Sequence, residues 1–243
     1  MHRQSPIVLV HGAFQSAHTW DLVVPRLSER GRRVIVATLT GLGTDADGLS
    51  ESVTLDTHIR DVVSLLERED LRDVVLVGHS YAGMIITGAA EHARDRIRHL
   101  VYVDALVPEH GQAAVHILPQ RTRDTFRKLA EHGGGWRMQP TAQLVDLWGL
   151  EEGPARKFVE ARLCDFTIRC FDQPVNAATD AAGKLPRTYI ASVKEEYPAR
   201  AVFEPFAARA KREGWTYHEL PTGHDCQAEM PEALSELLHS AAS

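Results

Sequence analysis

Two residues carry the chemistry that can be read from this chain: Ser80, inside the stretch Val74–Gly83, and His224, close to the end. A serine hydroxyl is a weak nucleophile at neutral pH. It needs a base, a group that orients the base, and N–H donors for a developing oxyanion. The stretch reads Val74-Val75-Leu76-Val77-Gly78-His79-Ser80-Tyr81-Ala82-Gly83. Four apolar residues mark a buried strand, Gly78 permits a sharp turn, and Met84, Ile85, Ile86, Ala89 and Ala90 continue as a helix. Ser80 therefore sits at the tip of a strand–turn–helix, the nucleophile elbow. Such a turn brings strand and helix backbones together and demands small residues on both sides of the serine. Gly78 meets that need in front and Ala82 behind, where the usual pattern has glycine. The plainer alternative is an ordinary strand–helix loop with an exposed serine.

A base for Ser80 is expected late, after the last strand, and Leu220-Pro221-Thr222-Gly223-His224-Asp225 supplies one in a loop. The chain has 13 histidines, so position has to single this one out. His58, His92 and His239 fall where a solvated helix face is expected. An oxyanion site needs two backbone N–H groups: that of Tyr81, after the nucleophile, and one from the loop after an early strand. Val8-Leu9-Val10-His11-Gly12-Ala13-Phe14 offers that loop, with Ala13 as the second donor and His11 as a residue that orders it.

The elements that must position these residues alternate. Strands are expected at Ile7–Val10, Arg33–Leu39, Val74–Val77, His99–Asp104, Arg187–Ala191 and Trp215–Leu220. Helices are expected at Trp20–Arg30, Thr54–Arg68, from Tyr81 to about Arg94, around Val202–Arg212, and after Pro231, a first-turn proline. This alternation predicts an α/β fold: a mostly parallel sheet with helices on both faces. From Val107 to Lys184 the pattern becomes helical or irregular, with glycines at Gly133–Gly135 and no strong strand. The expected organisation is one core made of residues 1–106 and 185–243, with 107–184 inserted as a mainly helical cap or lid. Leu118, Phe126, Trp136, Met138, Trp148, Phe158, Phe166 and Phe171 give the insertion apolar bulk. Phe14 and Tyr81, beside the oxyanion donors, and Trp136 and Trp148 from the insertion are the candidate substrate contacts.

Composition narrows the function. A net charge of −6, spread without a basic block, argues against nucleic acid or an anionic membrane as a partner. Three cysteines (Cys164, Cys170, Cys226) without a Cys-x-x-Cys pair suggest free thiols in a reducing compartment. Met1-His2-Arg3-Gln4-Ser5-Pro6 leads straight into a strand without a leader-like apolar stretch, and no run approaches the roughly 20 residues of a membrane span. A cytoplasmic protein is expected. Gly41-Leu42-Gly43-Thr44-Asp45-Ala46 spells a dinucleotide fingerprint, but no helix pattern follows it. Asp45 and Asp47 before Gly48 lack the further ligands of a calcium loop. Neither a cofactor nor a metal is expected.

The chain resembles the α/β-hydrolase branch that contains plant methylesterases, hydroxynitrile lyases and small bacterial esterases. The resemblance runs nearly end to end: Val10-His11-Gly12-Ala13, Thr40-Gly41-Leu42-Gly43, the Ser80 elbow, Val101-Tyr102-Val103-Asp104-Ala105-Leu106-Val107-Pro108 and Thr222-Gly223-His224-Asp225. It implies Ser80 as nucleophile and His224 as base. Plant members place the orienting aspartate after the strand that here reads Thr188–Val193, but only Glu195 and Glu196 follow. The fold's other location is the end of the strand after the nucleophile strand, where Asp104 stands. A carboxylate at the mouth of a buried strand needs a partner such as an imidazole N–H. Asp104 is therefore the expected acid, with Glu195 or Glu196 as the alternative.

The expected activity is cofactor-free serine hydrolysis of a small carboxylic ester or lactone. The alternatives are a secondary-metabolism tailoring enzyme (cyclase or cofactor-free oxygenase) and a non-catalytic ligand receptor on the same scaffold. The lyases of the branch carry threonine where Gly12 stands and lysine where Asp225 stands, so lyase chemistry is not expected.

Overall fold

Why the sheet is covered on both faces is visible in its central strands, which carry apolar runs (Ile7–Val10, Val74–Val77) rather than alternating ones. In the computed structural model, which describes residues 5–243, β1 (Ile7–Val10) and β3 (Val74–His79) are buried at every residue. With β2 (Val34–Val36), β4 (Ile97–Val103), β7 (Arg187–Ser192) and β8 (Thr216–Leu220) they form a six-stranded parallel sheet. Its order is β2-β1-β3-β4-β7-β8. Period-two alternation sends Ile7, Leu9, Val75, Val77, Val101 and Val103 to one face, under α1 (Val24–Glu29) and α11 (Pro231–Ala241). Val8, Val10, Val74, Leu76, Leu100 and Tyr102 face the other side, under α2 (Leu55–Arg68) and α3 (Ala82–Ala93).

The chain runs from β1 outward to β2 and then returns to β3 on the other side of β1. The strand order thus reverses at the β1/β3 boundary, the place where loops diverge and a crevice opens in open α/β sheets. Val10 pairs with Gly78, so the His11–Phe14 loop and Ser80 leave the sheet side by side.

Between β4 and β7 the chain forms α4 (Ala114–Ile117), α5 (Gln120–His132), β5 (Arg137–Met138), α6 (Ala142–Leu147), α7 (Pro154–Glu160), β6 (Phe166–Thr167) and α8 (Arg169–Asp172). α9 (Arg200–Arg212) follows β7, and α10 (Cys226–Glu229) precedes α11. β5 and β6 pair antiparallel, Met138 opposite Phe166, a short ladder that the sequence pattern does not suggest. Two residues per strand are too few for a detectable period.

Two other expectations change in detail. The helix expected over Trp20–Arg30 is a 3-10 turn at Ala17–Trp20 followed by α1, because Pro25 lacks the amide hydrogen that a continuous helix would use and instead occupies a first-turn position. The second strand spans only Val34–Val36, although Ala37 still donates to the Leu9 carbonyl at 2.9 Å. The N-terminal run Met1–Gln4 lies outside the described residues.

The elbow depends on α3 approaching the end of β4. A Cβ at Gly83 would lie 1.9 Å from the Leu106 carbonyl oxygen, and one at Gly78 2.8 Å from that of Ala82. Both contacts are with backbone, which cannot turn aside as a flexible side chain can. Gly83→Ala should therefore act as overpacking of about 1–3 kcal/mol, lowering the melting temperature by roughly 2–10 °C. A thermal melt beside the parent protein checks it.

Candidate active site

Ser80 lies one residue beyond β3 with φ of 58°, the left-handed region that non-glycine residues rarely adopt. Its carbonyl accepts from the Gly83 and Leu106 N–H groups, both at 3.1 Å, and its own N–H donates to Val103 O at 3.1 Å. These bonds hold the turn in its strained shape. Phe14 (φ 62°) and Asp104 (φ 41°) are in the same region, so left-handed backbone gathers where three strand ends meet.

His224 brings the parts together. Its Nε2 lies 2.8 Å from Ser80 Oγ and its Nδ1 2.7 Å from Asp104 Oδ2. With a carboxylate on Nδ1, the neutral ring carries its proton there and presents the Nε2 lone pair to the serine O–H. The backbone around His224 is tied down from three sides. Its N–H donates to the Trp148 carbonyl (2.8 Å), its own carbonyl accepts from His79 Nε2 (2.9 Å), and the Phe203 ring stacks on the imidazole at 4.6 Å. Asp104 also accepts the Ser192 N–H on Oδ1 (3.3 Å) and the Tyr197 hydroxyl on Oδ2 (2.7 Å). Glu195 and Glu196 point to solvent. The residue of that loop that reaches the site is Tyr197, which sequence reasoning missed. Nothing in a Glu-Glu-Tyr run in one sequence shows which member turns inward.

The loop after β1 closes the other side. A Cβ at Gly12 would lie 2.9 Å from Ser80 Cβ, so the loop backbone passes directly over the serine. His11 donates from Nδ1 to the Gly12 carbonyl at 3.0 Å and orders that turn. The inserted segment clamps the loop as well: Cys164 N–H donates to Phe14 O at 2.9 Å, and its thiol donates to Gln15 O at 3.2 Å. Asp225 is wholly buried and bonds to the side-chain amides of Gln15 and Gln227. It thus ties the β1 loop to the histidine loop rather than facing Ser80.

Of the candidate substrate contacts, Phe14 packs on Phe126 and Phe166, and Tyr81 on Phe166 and Phe171. Trp148 stands 6.0 Å from the His224 ring, centroid to centroid. Trp136 is half-buried just before β5, where its carbonyl accepts from Ile168 N–H. His58 corrects an expectation. It is fully buried rather than solvated, and its Nε2 lies 3.1 Å from the Thr40 carbonyl. A carbonyl can only accept, so Nε2 carries the proton and Nδ1 accepts the Tyr81 hydroxyl at 3.2 Å. The Tyr81 phenol is thereby turned toward α2, and the helical position that suggested an exposed face is the one facing α3.

A model of the Alpha/beta hydrolase family matches residues 7–237. The chain belongs to that family. It is 35% identical over 243 residues to a carbendazim hydrolyzing esterase of Nocardioides sp. (strain SG-4G), covering 95% of this chain and 97% of the relative. Against a pyrethroid hydrolase of Sphingobium wenxiniae the identity is 27%, over 96% and 85% of the two chains. The solved structure of an extracellular alpha/beta-hydrolase from a Paenibacillus species superposes with a TM-score of 0.84 at 20% identity, covering 98% of this chain and 99% of the other. That last likeness is one of fold. The resemblance read from the motifs and the parallel sheet expected from alternation both hold, and the chain is an enzyme of the hydrolase class.

Burial keeps the imidazoles beneath the site neutral. Desolvation pushes His11 down to about 4, and lowers His58 and, more strongly, His79. The unfolded chain takes up a proton on each histidine as pH falls through about 6.5, while folded His11 does not until about 4. Stability should therefore fall as pH drops across that window, with His11 alone contributing a loss of about 3 kcal/mol at its lower end. Urea unfolding at pH 7 and pH 4.5 measures it, and His11→Gln should flatten the dependence.

Proposed function

We propose that the enzyme is a cofactor-free serine hydrolase that cleaves a small carboxylic ester or lactone through an acyl-enzyme. The observation that carries the reading is the unbroken relay in which His224 bridges Ser80 Oγ at 2.8 Å and Asp104 Oδ2 at 2.7 Å. These separations lie within the reach required for proton transfer and for orienting a base.

In this mechanism Ser80 Oγ attacks the ester carbonyl as its proton passes to His224 Nε2. Asp104 holds the Nδ1 proton and stabilises the imidazolium. The tetrahedral oxyanion rests on the backbone N–H groups of Ala13 and Tyr81, and its collapse releases the alcohol with the proton carried by His224. Water, deprotonated by the same imidazole, then releases the acid and restores Ser80. Asp104, wholly buried on a strand end with three hydrogen-bonding neighbours, is favoured over the exposed Glu195 and Glu196 as the acid.

The substrate class follows from two supports. Aromatic rings at Phe203, Trp148 and Tyr197 lie 4.6, 6.0 and 6.1 Å from the His224 ring, and Phe14 and Tyr81 join a further aromatic cluster with Phe126, Phe166 and Phe171, which suits a modest apolar or aromatic group. Relatives are named for hydrolysing carbendazim and pyrethroids, and another is Methylesterase 8 of Arabidopsis thaliana, 25% identical over 78% of this chain. Residues 107–184 serve as the cap over this site, with Trp148 and Cys164 bonded to the histidine loop and the β1 loop. Among the described residues no helix is long and apolar enough to cross a membrane. The free thiols of Cys164, Cys170 and Cys226 suit a cytoplasmic setting.

Ser80→Ala should leave the fold intact and lower hydrolysis of a model ester by a factor on the order of 10⁴ or more. Retention of a tenth of the rate would remove the serine mechanism. Asp104→Asn should lower turnover by up to about 10⁴-fold by favouring the wrong imidazole tautomer, whereas Glu195→Gln and Glu196→Gln should change it little. Steady-state kinetics on a panel of esters of rising acyl length, with a serine-directed phosphonate as label, read all four variants. Labelling without turnover of any ester would point to the tailoring-enzyme alternative, and neither labelling nor turnover to a ligand receptor.

A further inference from the structure

The loop between β7 and α9 holds Glu195 and Glu196, both exposed, and contributes no carboxylate to the site. Its inward-facing residue is Tyr197, 4% exposed, with its hydroxyl 2.7 Å from Asp104 Oδ2 and 3.0 Å from His224 Nδ1. The Tyr197 ring also lies stacked beside the imidazole, 6.1 Å between centroids. We propose that Tyr197 is a positioning residue for the Ser80–His224 pair, donating its hydroxyl proton to the same Asp104 oxygen that accepts from His224. The inference rests on the Ser-His-Asp reading given above.

The direction of the bond follows from the partners. An ionised carboxylate can only accept, and His224 Nδ1–H already points at Oδ2, so the phenol must be the donor. Burial and the negative charge of Asp104 push the Tyr197 phenol well above its ordinary value, so it remains a donor at every pH at which the enzyme works. Two effects follow. Asp104 sits beyond a strand end with a left-handed backbone, and its carboxylate is held by Ser192 N–H on one oxygen and by Tyr197 on the other. Without the phenol, the oxygen facing His224 would keep the imidazole as its sole donor partner in this network, and the carboxylate would be freer to turn about its side-chain bonds. The hydroxyl also draws on the charge of Oδ2, which weakens that oxygen's hold on a protonated His224 in the free enzyme.

The other titratable groups around this centre are His79, Tyr189, Asp225 and Cys226. Burial holds His79, Tyr189 and Cys226 in their neutral forms, and raises Asp225 above its ordinary value. Asp104 also lines a cavity of about 140 Å³ together with Arg200, Glu204 and Lys211 of α9 and Tyr217 and Glu219 of β8. None of these groups bonds to Oδ2 of Asp104, so removal of the phenolic hydroxyl isolates one contact.

Tyr197→Phe deletes that hydroxyl and keeps the ring. With p-nitrophenyl acetate as the probe, kcat should fall roughly 10- to 100-fold, the range of one hydrogen bond to a charged group, with KM within about twofold. The acid limb of the kcat/KM–pH profile should move to higher pH. Difluorotyrosine incorporated at position 197 is a stronger donor of nearly the same shape and should move that limb to lower pH. It decides the matter should Tyr197→Phe melt well below the parent protein. An unchanged kcat in Tyr197→Phe, or a loss carried by KM with the acid limb unmoved by the fluorinated residue, would overturn the proposal. Ser80→Ala and Asp104→Asn are run in the same assay. If both lose hydrolysis while Tyr197→Phe keeps the parental rate, the role of Tyr197 alone is refuted. If either retains hydrolysis, the Ser-His-Asp reading fails and the proposal falls with it.

Discussion

A carboxylate buried at the end of a strand is the constraint around which this site is arranged. Asp104 has essentially no contact with solvent, and an isolated charge there would cost several kcal/mol. The fold meets that cost by bringing three donors from three different segments to its two oxygens: Ser192 N–H at the end of β7, the Tyr197 hydroxyl in the next loop, and His224 Nδ1 after β8. Because β4, β7 and β8 are neighbours in one parallel sheet, their carboxyl ends lie together without any long excursion of the chain. The same bonds that neutralise the buried acid fix the orientation of the imidazole. Stability and geometry are here two consequences of one network.

The second constraint is close backbone approach. Ser80 is presented from a left-handed turn that survives because α3 lies against the end of β4 and the β1 loop passes over the serine. Side chains at Gly12, Gly78 or Gly83 would meet atoms within 3 Å, so each glycine is required by a neighbour distant in sequence or across the turn. A side chain at Gly12 would meet Ser80 itself.

Between these two features lies a buried polar layer that is structural rather than reactive. Asp225 joins Gln15 to Gln227, His79 holds the backbone of His224, and His58 turns the Tyr81 phenol away from the serine. Read as letters, Asp225 beside the base looks like a group at the reacting centre. Its side chain points the other way, into the joint between the loops that follow β1 and β8. The inserted segment reinforces that joint through the Trp148 carbonyl and Cys164, so it contributes to the shape of the site.

How much of this was legible beforehand divides along physical lines. The parallel sheet could be read from local pattern, and Ser80, Asp104 and His224, singled out in the same way, do meet: the imidazole lies within 2.8 Å of the serine and 2.7 Å of the aspartate. Apolar runs and small residues around a serine are demands of the backbone itself, and a charged residue closing a buried strand announces an unseen partner. What the letters did not reveal was direction. A helix period shows that His58 shares a face with some neighbours, not that α3 covers that face. A loop reading Glu195-Glu196-Tyr197 does not say that the aromatic residue turns inward while the two charges remain in water. Those outcomes are set by which surfaces meet when β7, α9 and the histidine loop pack together. Sequence alone therefore determined the kinds of groups available for catalysis and the strand ends that carry them. Tertiary structure alone decided which of them touch, because hydrogen bonds between residues 27 to 145 positions apart exist only after the sheet has brought its carboxyl ends together.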